Sequence, residues 1–145
     1  MSLADTQPES CPPPRDSGDG GVARDLAGQR VLIVEDDPYI AVALEDLLAE
    51  QGLVVAGVAR SLAAALRLAA QADIDLALLD VNLGTEKIDP VAEALAARGR
   101  PFIFTTGCGR AGLPENFADA PLVEKPFYIE EIIGALRAAA AARPR

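Results

Sequence analysis

Aromatic side chains are scarce: Phe, Trp and Tyr make up 4% of the 145 residues, although 50% of the chain is hydrophobic. A core built mainly from Ala, Leu, Val and Ile is therefore expected, in one domain with a tail. No apolar run approaches the ~20 residues that a membrane-spanning helix requires. The N-terminus lacks the apolar stretch of a secretory signal. Two cysteines, Cys11 and Cys108, are too few for a disulfide framework and point to a reducing compartment. A cytoplasmic protein without membrane attachment is expected. Basic residues are also short, with 13 Lys and Arg against 22 Asp and Glu. A nucleic-acid binder needs a basic face for phosphates, so that class is set aside.

Residues 1–27 are rich in Pro, Ser, Gly and Asp, including Pro12-Pro13-Pro14 and Gly18-Asp19-Gly20-Gly21. That composition buries too little surface to offset chain entropy, so a disordered leader is expected there, followed by a domain over 28–142 and a short tail over 143–145. The leader holds five acids and two arginines, so most of the negative surplus belongs to the domain. For the majority of those acids solubility is explanation enough.

From Arg30 onward short apolar runs alternate with amphipathic stretches. Val31–Val34 reads as a buried strand. Asp37 as N-cap and Pro38 at the first helical position open a helix with a stripe at Ile40, Leu44, Leu47 and Leu48, ended by Gly52. Leu53–Val58 is the second strand, and Ser61 caps a helix carrying Leu62, Ala65, Leu66 and Ala69. Asp75–Leu79 is the third strand, followed by a polar loop over Asn82–Asp89. Pro90 starts a third helix that stops near Gly99, and Pro101–Thr105 is the fourth strand. Three glycines between Gly107 and Ala120 leave room only for a short helix around Pro114–Ala118. Leu122-Val123 is a fifth strand, and Ile129–Ala142 a last helix with Ile129, Ile132, Ile133 and Leu136 on one side. Five strands alternating with helices predict an α/β fold with a parallel sheet covered on both faces.

Ligands of such sheets bind beyond the carboxyl ends of the strands. Glu35 and Asp36 follow the first strand, Asp80 the third, Thr105-Thr106-Gly107 the fourth, and Lys125-Pro126 the fifth. Mg²⁺ takes oxygen ligands and commonly shares them with phosphate. Asp36 and Asp80 suit direct ligation, with Glu35 acting through water. Without a cation, three clustered carboxylates would raise one another's pKa values. Asp37 is better explained as a helix cap. Asp80 is the candidate nucleophile for a phosphoryl group, with Lys125 offsetting charge on the transferring oxygens. Thr106 can hydrogen-bond a phosphoryl oxygen, and Gly107 leaves room for the group to enter.

In that order, Glu35-Asp36-Asp37-Pro38, Asp80-Val81-Asn82-Leu83, Thr106-Gly107 and Lys125-Pro126-Phe127 resemble the receiver domain of two-component response regulators, from Arg30 to about Ala142. The resemblance implies a flavodoxin-like doubly wound sheet of order 2-1-3-4-5 with a shortened fourth helix. It implies phosphorylation of Asp80 by a histidine kinase or phosphotransfer protein, with Mg²⁺ held by Asp36, Asp80, Glu35 and the Asn82 backbone carbonyl. Thr106 would be the switch hydroxyl and Lys125 the partner of the phosphate. The run Pro101-Phe102-Ile103-Phe104-Thr105-Thr106-Gly107 also resembles the Pro-Phe-x-Phe-Ala-Thr-Gly-Tyr stretch of stand-alone receivers paired with HWE-type histidine kinases. Thr105 here replaces Ala and Cys108 replaces Tyr.

Leu122 stands where many receivers carry an aromatic that moves with the threonine. Repacking of Gly107–Gly112 is the expected substitute. Asn82 and Cys108 are poorly suited to directing an attacking water, so slow to moderate self-dephosphorylation is expected. Only Ala-rich residues and Arg143-Pro144-Arg145 follow the last helix, so the expected output is a downstream protein partner or a phosphate sink, with a weak homodimer left open. Such a protein is not an enzyme beyond its own phosphorylation chemistry. Two other classes compete: a receiver-like binding module that works without phosphorylation, and a haloacid-dehalogenase-type phosphatase. The phosphatase needs a second acid two residues past its nucleophile, where this chain has Asn82. A flavodoxin needs a hydroxyl- and glycine-rich loop where Glu35 and Asp36 stand.

Overall fold

The computed structural model describes residues 26–71, 73–84, 86–107 and 113–141. Among the described residues, seven strands and four helices run in the order β1 (Arg30–Val34), α1 (Pro38–Glu50), β2 (Val54–Ala59), α2 (Leu62–Gln71), β3 (Leu76–Asp80), β4 (Asn82–Leu83), β5 (Glu86–Lys87), α3 (Asp89–Ala97), β6 (Phe102–Thr106), β7 (Leu122–Glu124) and α4 (Ile129–Ala141). The main sheet has the order β2-β1-β3-β6-β7, with parallel pairing throughout. With the small β4–β5 pair set aside, this is the expected 2-1-3-4-5.

Strand alternation divides the core in two. Val31 and Ile33 of β1, with Leu76 and Leu78 of β3, pack under Leu44 and Leu48 of α1 and Ile132 and Leu136 of α4. Leu32, Val34, Ala77 and Leu79 face the other way, toward Ala65 and Ala69 of α2 and Val91 and Leu95 of α3. Because both faces are covered, β1 and β3 read as unbroken apolar runs.

Local signals place the helices. Asp37 accepts hydrogen bonds from Tyr39 N at 2.9 Å and Ile40 N at 3.4 Å, with Pro38 next to it at the start of α1. Beyond the helix Gly52 has φ +94°, a conformation that suits glycine after a helix C-terminus. The buried stripe of α1 is Ala41, Leu44 and Leu48; Ile40 and Leu47 are only half-buried, so the helix is rotated slightly from its expected setting. The Ser61 hydroxyl caps α2 through Ala64 N at 3.2 Å.

Several element ends shift by a single residue, as at β2 and β6, and two segments differ more. The polar loop at Asn82–Asp89 contains an antiparallel hairpin, Asn82 opposite Lys87 and Leu83 opposite Glu86. Leu83 and Ile88 are buried in the core and anchor it, while the Glu86 carboxylate accepts from Leu62 N at the start of α2. Leu26, counted with the leader by composition, is 1% exposed and packs with the α1–α4 core. The folded body thus begins before residue 28.

Around the expected fourth helix, a single 3-10 turn spans Glu115–Phe117. It is anchored by Phe117, whose ring meets Phe102 edge-on at 5.4 Å. Residues 1–25 of the leader, Cys108, the rest of the glycine-rich stretch past Gly107, and residues 142–145 lie outside the described residues. Among the described residues no helix is long and apolar enough to cross a membrane.

Candidate functional site

Neighbouring strands finish together at one edge of the sheet. Val34 pairs with Leu79, Asp80 with Thr105, and Thr105 with Val123. The residues that follow β1 and β7 and those that end β3 and β6 therefore meet: Glu35 and Asp36, Asp80, Thr105 and Thr106, and Lys125. Glu35, Asp36 and Asp80 each offer a carboxylate oxygen, all within 4.8 Å of one another. All the candidate acids of the sequence reading, though distant in the chain, are gathered at this edge.

Burial and charge set the character of the site. Glu35 is 0% and Asp80 2% exposed. The Lys125 ammonium lies 3.0 Å from Glu35 Oε1 and 3.4 Å from Asp80 Oδ2. Asp80 Oδ1 accepts from Asn82 N at 3.0 Å, and Glu35 Oε2 from Asp37 N at 3.2 Å. Burial, followed by the hydrogen bond and charge of Asp80, pushes the Glu35 carboxyl up to about 7, although Lys125 and the Asp37 N–H pull it down. Burial disfavours the charged Lys125, yet hydrogen bonds and charge from Glu35 and Asp80 outweigh it, and its pKa is raised.

Lys125 is tied to the neighbouring strand, since its N–H donates to the Thr106 carbonyl at 2.8 Å. The Lys125–Pro126 peptide is cis. Thr106 is buried at the end of β6, and Gly107 behind it is exposed, with nothing within 4 Å of where a Cβ would stand. Asp37 serves as the helix cap, as expected. Asn82 enters through its backbone N–H on Asp80. Leu122 is half-buried and packs with the α2–α3 core.

The donor set fits a hard divalent cation: among the described residues the cluster holds three carboxylates and no sulfur or nitrogen ligand. Glu35 is fully enclosed and ionises reluctantly without further positive charge, which a cation among the three acids would supply.

Two features escaped the sequence reading. The first is the Lys125–Glu35 ion pair, shorter than the Lys125–Asp80 contact. The second is Thr105, whose hydroxyl is buried with no hydrogen-bond partner among the described residues. The only prior signal was a hydroxyl ending the apolar run Phe102-Ile103-Phe104.

The fold and this edge define a receiver-type α/β domain. The family model for the response regulator receiver domain matches residues 31–137, and the chain belongs to that family. It is 32% identical over 115 residues to the transcriptional regulatory protein PdtaR of Mycobacterium tuberculosis, covering 77% of this chain and 56% of that protein. It is 35% identical over 111 residues to the phyllosphere-induced regulator PhyR of Methylorubrum extorquens, covering 74% of this chain and 39% of that one. The chain thus spans about half the length, or less, of these curated relatives. The solution structure of SdrG from Sphingomonas melonis Fr1 matches at 44% identity with TM-score 0.69, covering 77% of this chain and 96% of that one. A BeF3-activated conformation of SdrG from Pseudomonas melonis Fr1 matches at 44% identity and TM-score 0.67, covering 79% and 98%.

Proposed function

We propose that this receiver domain accepts a phosphoryl group on Asp80 from a histidine kinase or phosphotransfer protein. In that step the bond from phosphorus to the donor's histidine nitrogen breaks, and a bond to an Asp80 carboxylate oxygen forms. The observation that carries the reading is the Lys125 ammonium, set 3.4 Å from Asp80 Oδ2 within a cluster of three carboxylates. Asp80 presents a carboxylate nucleophile, and its second oxygen is held by Asn82 N–H. Lys125 offers positive charge to the transferred oxygens, and Thr106 a hydroxyl at the end of β6.

Asp36, Asp80 and Glu35, with the Asn82 carbonyl, are the residues that would hold Mg²⁺. When bound it supplies charge neutralisation to the carboxylates and to the phosphoryl oxygens. The match to an SdrG conformation described as BeF3-activated supports the reading, because beryllofluoride imitates a phosphoryl group.

The output is signalling through a downstream protein partner, or drainage of phosphoryl groups from a kinase, in the cytoplasm. The alternatives are less well supported. Asn82 cannot act as a second acid, which removes the phosphatase's proton donor. A module working without phosphorylation explains Lys125 as the counter-charge of Glu35 but gives no use for the enclosed Asp80 beside them.

Incubation with acetyl phosphate and Mg²⁺, followed by intact mass, tests the reading. One added phosphoryl group on the wild type and none on Asp80→Asn is expected. An unchanged wild-type mass would refute it.

A further inference from the structure

The phosphotransfer chemistry above leaves Thr105 unused. Its hydroxyl oxygen is enclosed and has no hydrogen-bond partner among the described residues. Valine would fill the same space without an unpaired polar atom. The sheet register puts Thr105 between Asp80 of β3 and Val123 of β7. Paired residues of parallel strands present side chains to the same face, and so does the residue two further along. Asp80, Thr105 and Val123 therefore share a face; Lys125 follows β7 directly, and its ammonium reaches Asp80. Because β6 lies between β3 and β7, the Lys125 side chain crosses β6 to come within 3.4 Å of Asp80. The register sets Lys125 one step past the Thr106–Glu124 pair, and on that face Thr105 is the last residue of β6.

Resting on the phosphoacceptor reading, we propose that Thr105 is a positioning residue whose hydroxyl accepts a hydrogen bond from the Lys125 ammonium once Asp80 is phosphorylated. In the unphosphorylated chain two carboxylates, Glu35 and Asp80, hold that ammonium. Esterification takes the charge from Asp80 and places it on the phosphoryl oxygens, so the ammonium turns from its present position toward them. The Thr105 oxygen then fixes where it stops. The hydroxyl is unfavourable in one state and favourable in the other, which a merely structural residue would not be.

The thermal midpoint of the metal-free chain and the affinity for beryllofluoride with Mg²⁺, compared for wild type, Thr105→Val and Thr105→Ser, test this. Thr105→Val is expected to raise the midpoint by about 3 °C, since an unpaired buried hydroxyl is removed. It is expected to weaken beryllofluoride binding about fivefold, the worth of one hydrogen bond. Thr105→Ser should restore the affinity. Equal affinity of wild type and Thr105→Val overturns the inference, as does Thr105→Ser binding as weakly as Thr105→Val. Thr105→Ala replaces Thr105→Val in the affinity comparison should the latter not fold. A wild-type chain that gains no mass from acetyl phosphate overturns the phosphoacceptor reading and this inference with it. Phosphorylated wild type alongside unchanged affinity in Thr105→Val overturns this inference alone.

Discussion

Lys125 stands closer to Glu35 than to Asp80, at 3.0 Å against 3.4 Å. In the unphosphorylated chain the lysine is thus first of all the counter-charge of a fully buried carboxylate. Truncating it leaves Glu35 enclosed without a cation, a situation more costly than the pair itself is worth. Lys125→Met should therefore destabilise the chain by about 3 kcal/mol at pH 8 in urea unfolding. The loss should be smaller at pH 6, where Glu35 takes up a proton. Equal losses at both pH values would show that Glu35 is not the partner that matters.

The raised Glu35 pKa has a definite sign in stability. A folded-state value of about 7 against the ordinary 4.5 means that the folded chain holds the proton more tightly than the unfolded one. Stability from this group is complete below the unfolded value and is lost as pH rises through about 7. Metal-free protein should lose thermal stability from pH 5 to 8, and Glu35→Gln should flatten that slope. Added Mg²⁺ should raise the midpoint more at pH 8 than at pH 5, where proton and cation compete for the same acid.

Asp37 neighbours two candidate ligands, yet its side chain is engaged by Tyr39 N and Ile40 N. Asp37→Ala should cost about 1 kcal/mol of stability through the lost cap of α1, and Mg²⁺ affinity should change less than twofold. Asp36→Ala should do the reverse, weakening Mg²⁺ at least tenfold with little change in folding. Titration of Mg²⁺ against each variant separates cap from ligand.

Leu26 is buried in the α1–α4 core although it follows a stretch rich in Pro, Gly and Asp. Leu26→Ala should destabilise the fold by about 2–4 kcal/mol, measured by denaturant unfolding. A change near zero would place Leu26 with the leader.

The elements of the main sheet were legible because β1 and β3 are buried on both faces, so that continuous apolar runs mark them, and because Asp37, Pro38, Gly52 and Ser61 punctuate the helices. The site was legible because a parallel sheet gathers strand ends at one edge. The β4–β5 hairpin was not, since its strands are two residues long and no alternation develops; Leu83 and Ile88 act as isolated anchors. Leu26 was hidden by the composition around it. The Lys125–Glu35 pair and the row formed by Asp80 and Thr105 depend on register, which strand patterns alone do not set.

The central claim is that Asp80 carries the phosphoryl group. After treatment with acetyl phosphate and Mg²⁺, borohydride reduction converts a phosphoaspartate to homoserine, and tandem mass spectrometry of the peptides locates it. Homoserine at position 80, absent from Asp80→Asn, is the expected result. Homoserine at Asp36 or any other acid, or none in a folded wild-type chain, would contradict it.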